Sequence, residues 1–169
     1  MRVLVGMVRA AFGVTAMGLV CSLGATAQTD SSGQTGADII QPLMVKAWEE
    51  LEFGTIIPNT LTSGIVSISV DETRTCTAEL ICTNAVFSAA RFMVTGEPDK
   101  IYEITIPPGL TMENSSGDQM LVDGLHSDID QGLLIDGTDE FWVGADLHVS
   151  ANQALGTYTG TYTVSVEYQ

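Results

Sequence analysis

Residues 156–169 read GTYTGTYTVSVEYQ, and the reading of this closing stretch decides the fold. From Tyr158 the even positions are Tyr158, Gly160, Tyr162, Val164, Val166 and Tyr168, whereas the odd positions are Thr159, Thr161, Thr163, Ser165 and Glu167. Alternation with period two is the pattern of a β-strand with one buried and one wet face. Chain ends are ordinarily polar and frayed. A terminal strand this apolar therefore needs a partner, either its own sheet or another chain.

Working back from that strand, the same pattern recurs. FWVGADLHV, residues 141–149, turns Phe141, Val143, Ala145, Leu147 and Val149 to one face, and SANQALG supplies the turn into the last strand. IYEITIPPG (101–109) buries Tyr102, Ile104 and Ile106 until Pro107 and Pro108 end it, because proline cannot donate to a ladder. VFSAARFMVTG (86–96) is a longer strand stopped by Gly96 and Pro98, IVSISV (65–70) puts Val66, Ile68 and Val70 together, and QMLVDGL (119–125) adds another after the loop ENSSGD. In IIQPLMVKAWEELEFGTIIP (39–58), Leu43, Val45, Ala47, Leu51 and Phe53 fit an extended segment and a second short strand. VKAWEELE also holds good helix formers, but Pro42 and the Gly54–Pro58 region bracket it tightly, which favours strand. About seven short strands separated by turn signals predict an all-β, immunoglobulin-like antiparallel sandwich over residues 39–169.

The N-terminus predicts the compartment. Arg2 and Arg9 precede the apolar run AAFGVTAMGLVCSLGA, which leads into Ala25-Thr26-Ala27; this is the pattern of a secretory signal peptide over 1–27, cleaved before Gln28. Cys21 follows Val20 rather than the small residue of a lipoprotein signal, so it is expected to leave with the peptide. QTDSSGQTGAD (28–38) reads as a flexible polar leader. Beyond the signal no apolar run is long enough to span a bilayer, so membrane insertion is not expected. An exported product, held in the periplasm, on the cell surface or outside the cell, follows.

After cleavage the basic side chains are Lys46, Arg74, Arg91 and Lys100, set against the 21 Asp and Glu of the chain. Such a surface repels phosphate backbones and anionic headgroups, which argues against nucleic acid and membrane surfaces as partners. Cys76 and Cys82 then remain as an isolated pair, and in an exported protein such a pair is read as a disulfide. A metal or redox pair is the competing reading, weakened by a spacing that is not C-x-x-C.

No catalytic signature is present: neither G-x-S-x-G, H-E-x-x-H, the phosphate-binding G-x-x-x-x-G-K nor the dinucleotide G-x-G-x-x-G occurs. His148 falls on the outward face of its strand near Asp146, and His126, Ser127 and Asp128 are contiguous, which is not how a triad is assembled. No enzyme activity and no cofactor are expected. Asp128, Asp130, Asp136, Asp139 and Glu140 could supply oxygen ligands to calcium, but Leu133 stands where a calcium loop needs glycine, so a solvated loop is the expectation and no metal site is assigned. The sequon at Asn114 reads as a turn.

Counted from the C-terminus, Tyr168 is the penultimate residue and Gly156 lies fourteenth, with apolar residues alternating between them. This layout resembles the C-terminal motif of chaperone–usher pilus subunits. The resemblance implies that Gly156, Tyr158, Tyr162, Val164, Val166 and Tyr168 form an assembly edge, offered first to a periplasmic chaperone, at an usher, and then to a neighbouring subunit. More widely, LEFGTIIP, VSISVDETRT, FMVTGEPDKIYEITIPPGLTM and the stretch from Phe141 to the end resemble the bacterial secreted family designated domain of unknown function 4402. That family is itself similar to spore-coat-protein-U and fimbrial-subunit sandwiches. The likeness implies a non-enzymatic structural or adhesive role, fimbria-like or in a surface layer, with Ile39 to Ala47 as first strand or donated strand. A self-complete monomeric binding module is the alternative.

Overall fold

The computed structural model describes residues 31–169; the expected signal peptide, with Cys21 and the start of the leader, lies outside the described residues. Residues 31–43 carry no regular structure. From there the described chain is built of strands: β1 (Met44–Glu49), β2 (Ile56–Ile57), β3 (Gly64–Ile68), β4 (Arg74–Cys76), β5 (Ile81–Cys82), β6 (Ala90–Thr95), β7 (Ile101–Thr105), β8 (Gly109–Glu113), β9 (Gln119–Ser127), β10 (Gln131–Leu133), β11 (Thr138–Val149) and β12 (Ser165–Tyr168). Each long run expected to be extended contributes a strand, but the closing one is a strand only over Ser165–Tyr168, and no ladder strand forms at Leu51 and Phe53; most of the additional strands are pieces of two or three residues, too short to show a period.

All strand pairings are antiparallel. A seven-stranded sheet is organised by β11, which pairs with β6 through Thr138–Val143, with β3 through Ala145–Val149 and with β9 through Val143–His148; β1 joins β6, β4 joins β3 and β8 joins β9. The second sheet has the order β10-β7-β12, and β2 with β5 forms a third, two-stranded ribbon. The predicted sandwich is the fold.

The length of β11 follows from its sequence, since Phe141, Val143, Ala145, Leu147 and Val149 are all buried and one strand can thereby serve two core clusters. Phe141 and Val143 pack with Ala90, Val94, Tyr102 and Leu134 between the large sheet and the three-stranded one. Ala145, Leu147 and Val149 pack with Phe53, Val66, Ile68, Leu80, Ala89 and Val122. Phe92 stacks on Phe141 with ring centroids 5.2 Å apart and meets Tyr162 edge-on at 6.2 Å, so an aromatic row links β11, β6 and the C-terminal segment.

Cys76 and Cys82 are joined in a disulfide with Cα atoms 6.5 Å apart. It ties β4, in the large sheet, to β5, in the two-stranded ribbon, and so joins two sheets. On the chain-entropy account, closing so short a loop stabilises by about 2 kcal/mol. Reduction is therefore expected to lower the urea midpoint modestly and leave the domain folded; two free thiols in freshly exported, alkylated protein would contradict this.

Candidate functional site

The C-terminal segment keeps the alternation read from its sequence: Tyr158, Tyr162, Val164, Val166 and Tyr168 are half-buried and the intervening residues are exposed. Only Ser165–Tyr168, however, enters a ladder, with Ser165 opposite Thr105 and Tyr168 opposite Tyr102. Upstream, Thr159 forms a two-way backbone bridge with Glu113 at the end of β8. The segment thus runs antiparallel to β7, the corner and β8 in succession. The corner is Pro107-Pro108, which has no N–H to offer, so the residues opposite it cannot form a ladder although their faces alternate.

Tyr168 does more than fill space. Its hydroxyl accepts from Glu97 N at 2.6 Å and donates to Gln41 O at 3.0 Å, while Gln41 N donates to the Glu97 carboxylate at 3.0 Å. The penultimate tyrosine therefore latches the entry to β1 and the turn after β6 to the last strand. Gly156 has its own local reason to be glycine: its φ of 155° is one that other residues rarely adopt, and a Cβ there would lie 3.2 Å from Asn114 Nδ2.

The six residues expected to form one edge occupy two places. Tyr162, Val164, Val166 and Tyr168 pack against the cluster under the three-stranded sheet. Gly156 and Tyr158 instead line a separate cleft of about 430 Å³. Its floor is Met112 of β8, Met120 of β9, and Leu147 and Val149 of β11; one wall is drawn from residues 51–58 and the other from residues 153–158. The first wall is held from behind: Glu52 exchanges two backbone bonds with Ser88, Ser88 Oγ donates to Glu50 O at 2.7 Å, and the Arg74 guanidinium donates to Phe53 O and Thr83 O while lying 4.6 Å from the Phe87 ring centroid. The second is held by Gln153, whose amide donates to Gln119 O and to the Tyr158 hydroxyl, and by Tyr158, whose hydroxyl donates to Ala154 O. Asn152 N donates to Asn59 O at 2.7 Å, joining the chain just beyond the two walls. Among the described residues no backbone hydrogen bond crosses from 51–58 to 153–158. The result is an open slot between residues 51–58 and 153–158, floored by apolar side chains of the large sheet. Sequence reasoning missed it, because its walls are about a hundred residues apart, and although LEFGTIIP and the Gly156–Tyr158 stretch each stand out, nothing in the sequence places them side by side.

Residues weighed for chemistry are dispersed. His148 Nε2 lies 2.9 Å from Asp123 Oδ1, which sits diagonally across on β9, opposite Asp146, and His126 Nδ1 lies 2.9 Å from Gly124 O. The acidic loop does not converge: Asp128 accepts from Trp142 N, Asp139 from the Tyr102 hydroxyl and from Glu140 N, and Glu140 pairs with Arg91. Among the described residues no three potential ligands cluster. Asn114, buried, accepts from Ser116 N and Asp118 N and donates to Asp118 Oδ2, so its side chain closes the expected turn.

Two phenols sit in perturbed surroundings. Burial, with Glu50 nearby, pushes Tyr162 up to about 12, and burial with the Asp139 carboxylate raises Tyr102 further. Both shifts act in the same direction. Below pH 10 these groups are protonated whether the chain is folded or not; as pH rises from about 10 towards 12 the unfolded chain releases protons that the fold retains, so stability falls. Melting temperature is expected to drop steeply across that window, with late-titrating phenol absorbance. A melting temperature that stays flat to pH 12 would contradict it.

The fold defines an antiparallel β-sandwich, and among the described residues no helix is long and apolar enough to cross a membrane. The model of the family described as Domain of unknown function (DUF4402) matches residues 43–168, and the chain belongs to that family. No curated protein matches the chain significantly.

Proposed function

We propose that the protein is an exported, non-enzymatic subunit of a fimbria-like or surface-layer assembly, and that its cleft takes up an extended apolar segment of another polypeptide by strand addition. The observation that carries this reading is the slot itself: an apolar floor of Met112, Met120, Leu147 and Val149 between two walls that, among the described residues, share no backbone hydrogen bond. A strand laid there covers apolar area and meets backbone groups on either side, which is the physics of β-augmentation. A periplasmic chaperone and usher are the partners this mode of assembly calls for. Met44–Glu49 is engaged with β6 as the first strand, which leaves the segment before it, with Ile39 almost fully exposed, as the part of this chain available for donation.

The test is size chromatography of the exported protein with light scattering. Large species that resist detergent and dissociate on heating support the proposal, and a sharp monomer peak that refolds alone opposes it. One observation favours the second reading, a self-complete secreted module: β12 pairs with β7 of its own chain, and the Tyr168 hydroxyl is satisfied within the chain.

A further inference from the structure

The chain has two tryptophans, Trp48 and Trp142; they flank Arg91, with Trp48 largely exposed and Trp142 half-buried, its inner side packed on the cluster of Ala89 and Ala145. Trp142 is directly across from Arg91 in the β11–β6 register. Trp48 sits at the irregularity between Ala47 and Glu49 where β1 gains a residue on β6; a bulge of this kind re-aims a side chain. The Arg91 guanidinium lies 5.9 Å from the Trp48 ring centroid and 5.4 Å from that of Trp142, and its Nε donates to Glu140 Oε2 at 3.1 Å. Trp48 is 61% exposed. An indole left this open contributes little to the fold, whereas Trp and Arg side by side are the residues that dominate binding surfaces.

We propose that this strip, Trp48–Arg91–Trp142 with Glu140, is a platform for a neutral saccharide. The charge balance selects the occupant. Arg91 is matched by Glu140 within the strip, while the chain as a whole carries 21 Asp and Glu against 6 Lys and Arg, so a polyanion is repelled and a simple cation has no preference for this place over the other carboxylates. A pyranose ring presents an apolar C–H face and a rim of hydroxyls. The C–H face suits the negative face of an indole, and vicinal hydroxyls, each both donor and acceptor, suit a guanidinium beside a carboxylate. An open sheet face fits an extended oligosaccharide better than a single sugar.

Because both tryptophans are in the strip, their emission reports its occupancy directly. The experiment titrates the full exported protein with maltohexaose, cellohexaose and chitohexaose, with dextran sulfate as the polyanion. The expected result is a saturable emission change with at least one neutral oligosaccharide. Its apparent Kd should rise about tenfold or more in Trp48→Ala and in Glu140→Gln, both checked for an unchanged melting temperature, and should not move in Thr163→Ser, on the exposed face of the C-terminal segment. No saturable response to any of the three sugars, a response that survives Trp48→Ala, or a stronger response to dextran sulfate would overturn the proposal. Self-association that disappears in Trp48→Ala, without sugar binding in the parent, would also overturn it and assign the strip to a protein partner.

Discussion

Replacing Tyr168 with Ser is expected to lower the stability of the domain by about 3 kcal/mol. Burial of a large apolar side chain is worth roughly 1.5–3 kcal/mol, and half-burial puts Tyr168 at the lower end. Two hydrogen bonds, from Glu97 N and to Gln41 O, add about 1 kcal/mol each, and Ser is too short to remake them. At this chain length the melting temperature should fall by on the order of 10 °C. Tyr168→Phe separates the two contributions, since it keeps the ring and removes both bonds. Thr163→Ser, on the exposed face, should stay within about 0.5 kcal/mol of the parent. Denaturant unfolding of the three variants checks the order. Tyr168→Ser as stable as Thr163→Ser would show that the latch contributes nothing.

Phe141→Ala is expected to cost more, about 3–5 kcal/mol, because the side chain is fully buried and its loss leaves a cavity that the surrounding strands can only partly close. The damage should extend beyond β11. Phe92 loses its stacking partner, and through Phe92 the C-terminal segment loses support at Tyr162. Urea unfolding followed by near-ultraviolet circular dichroism measures both effects. A loss below about 1 kcal/mol would mean that the row of rings does not carry the sandwich.

Much of this architecture is legible in the chain because it is written in period two. The alternation from Phe141 to Val149 places five side chains inward, and all five are buried. The C-terminal alternation likewise identifies the correct face. What it cannot give is the length of the ladder, since that is set by Pro107 and Pro108 on a different part of the chain. The same holds for His148: Asp146 is its neighbour in sequence, but the partner that reaches it, Asp123, is supplied by the register of β9. Short strands such as β2, β5 and β10 have too few residues to show any period, and the cleft and the tryptophan strip exist only once distant segments are side by side. Composition does point to the disulfide, but not to the two sheets it joins.

The central claim is that the cleft receives a strand from another chain, and Met120→Lys tests it most directly. Met120 is half-buried on the cleft floor, so a lysine there can lift its ammonium to water in the free subunit, whereas an inserted strand would trap the charge against apolar surface without a partner. Exported protein from cells making the parent or the variant is run in detergent without heating, and each purified domain is melted. The account predicts a ladder of high-mass species for the parent, loss of that ladder for Met120→Lys, and melting temperatures within a few degrees of each other. A parent that runs only as a monomer, or a variant whose ladder is unchanged, would contradict it.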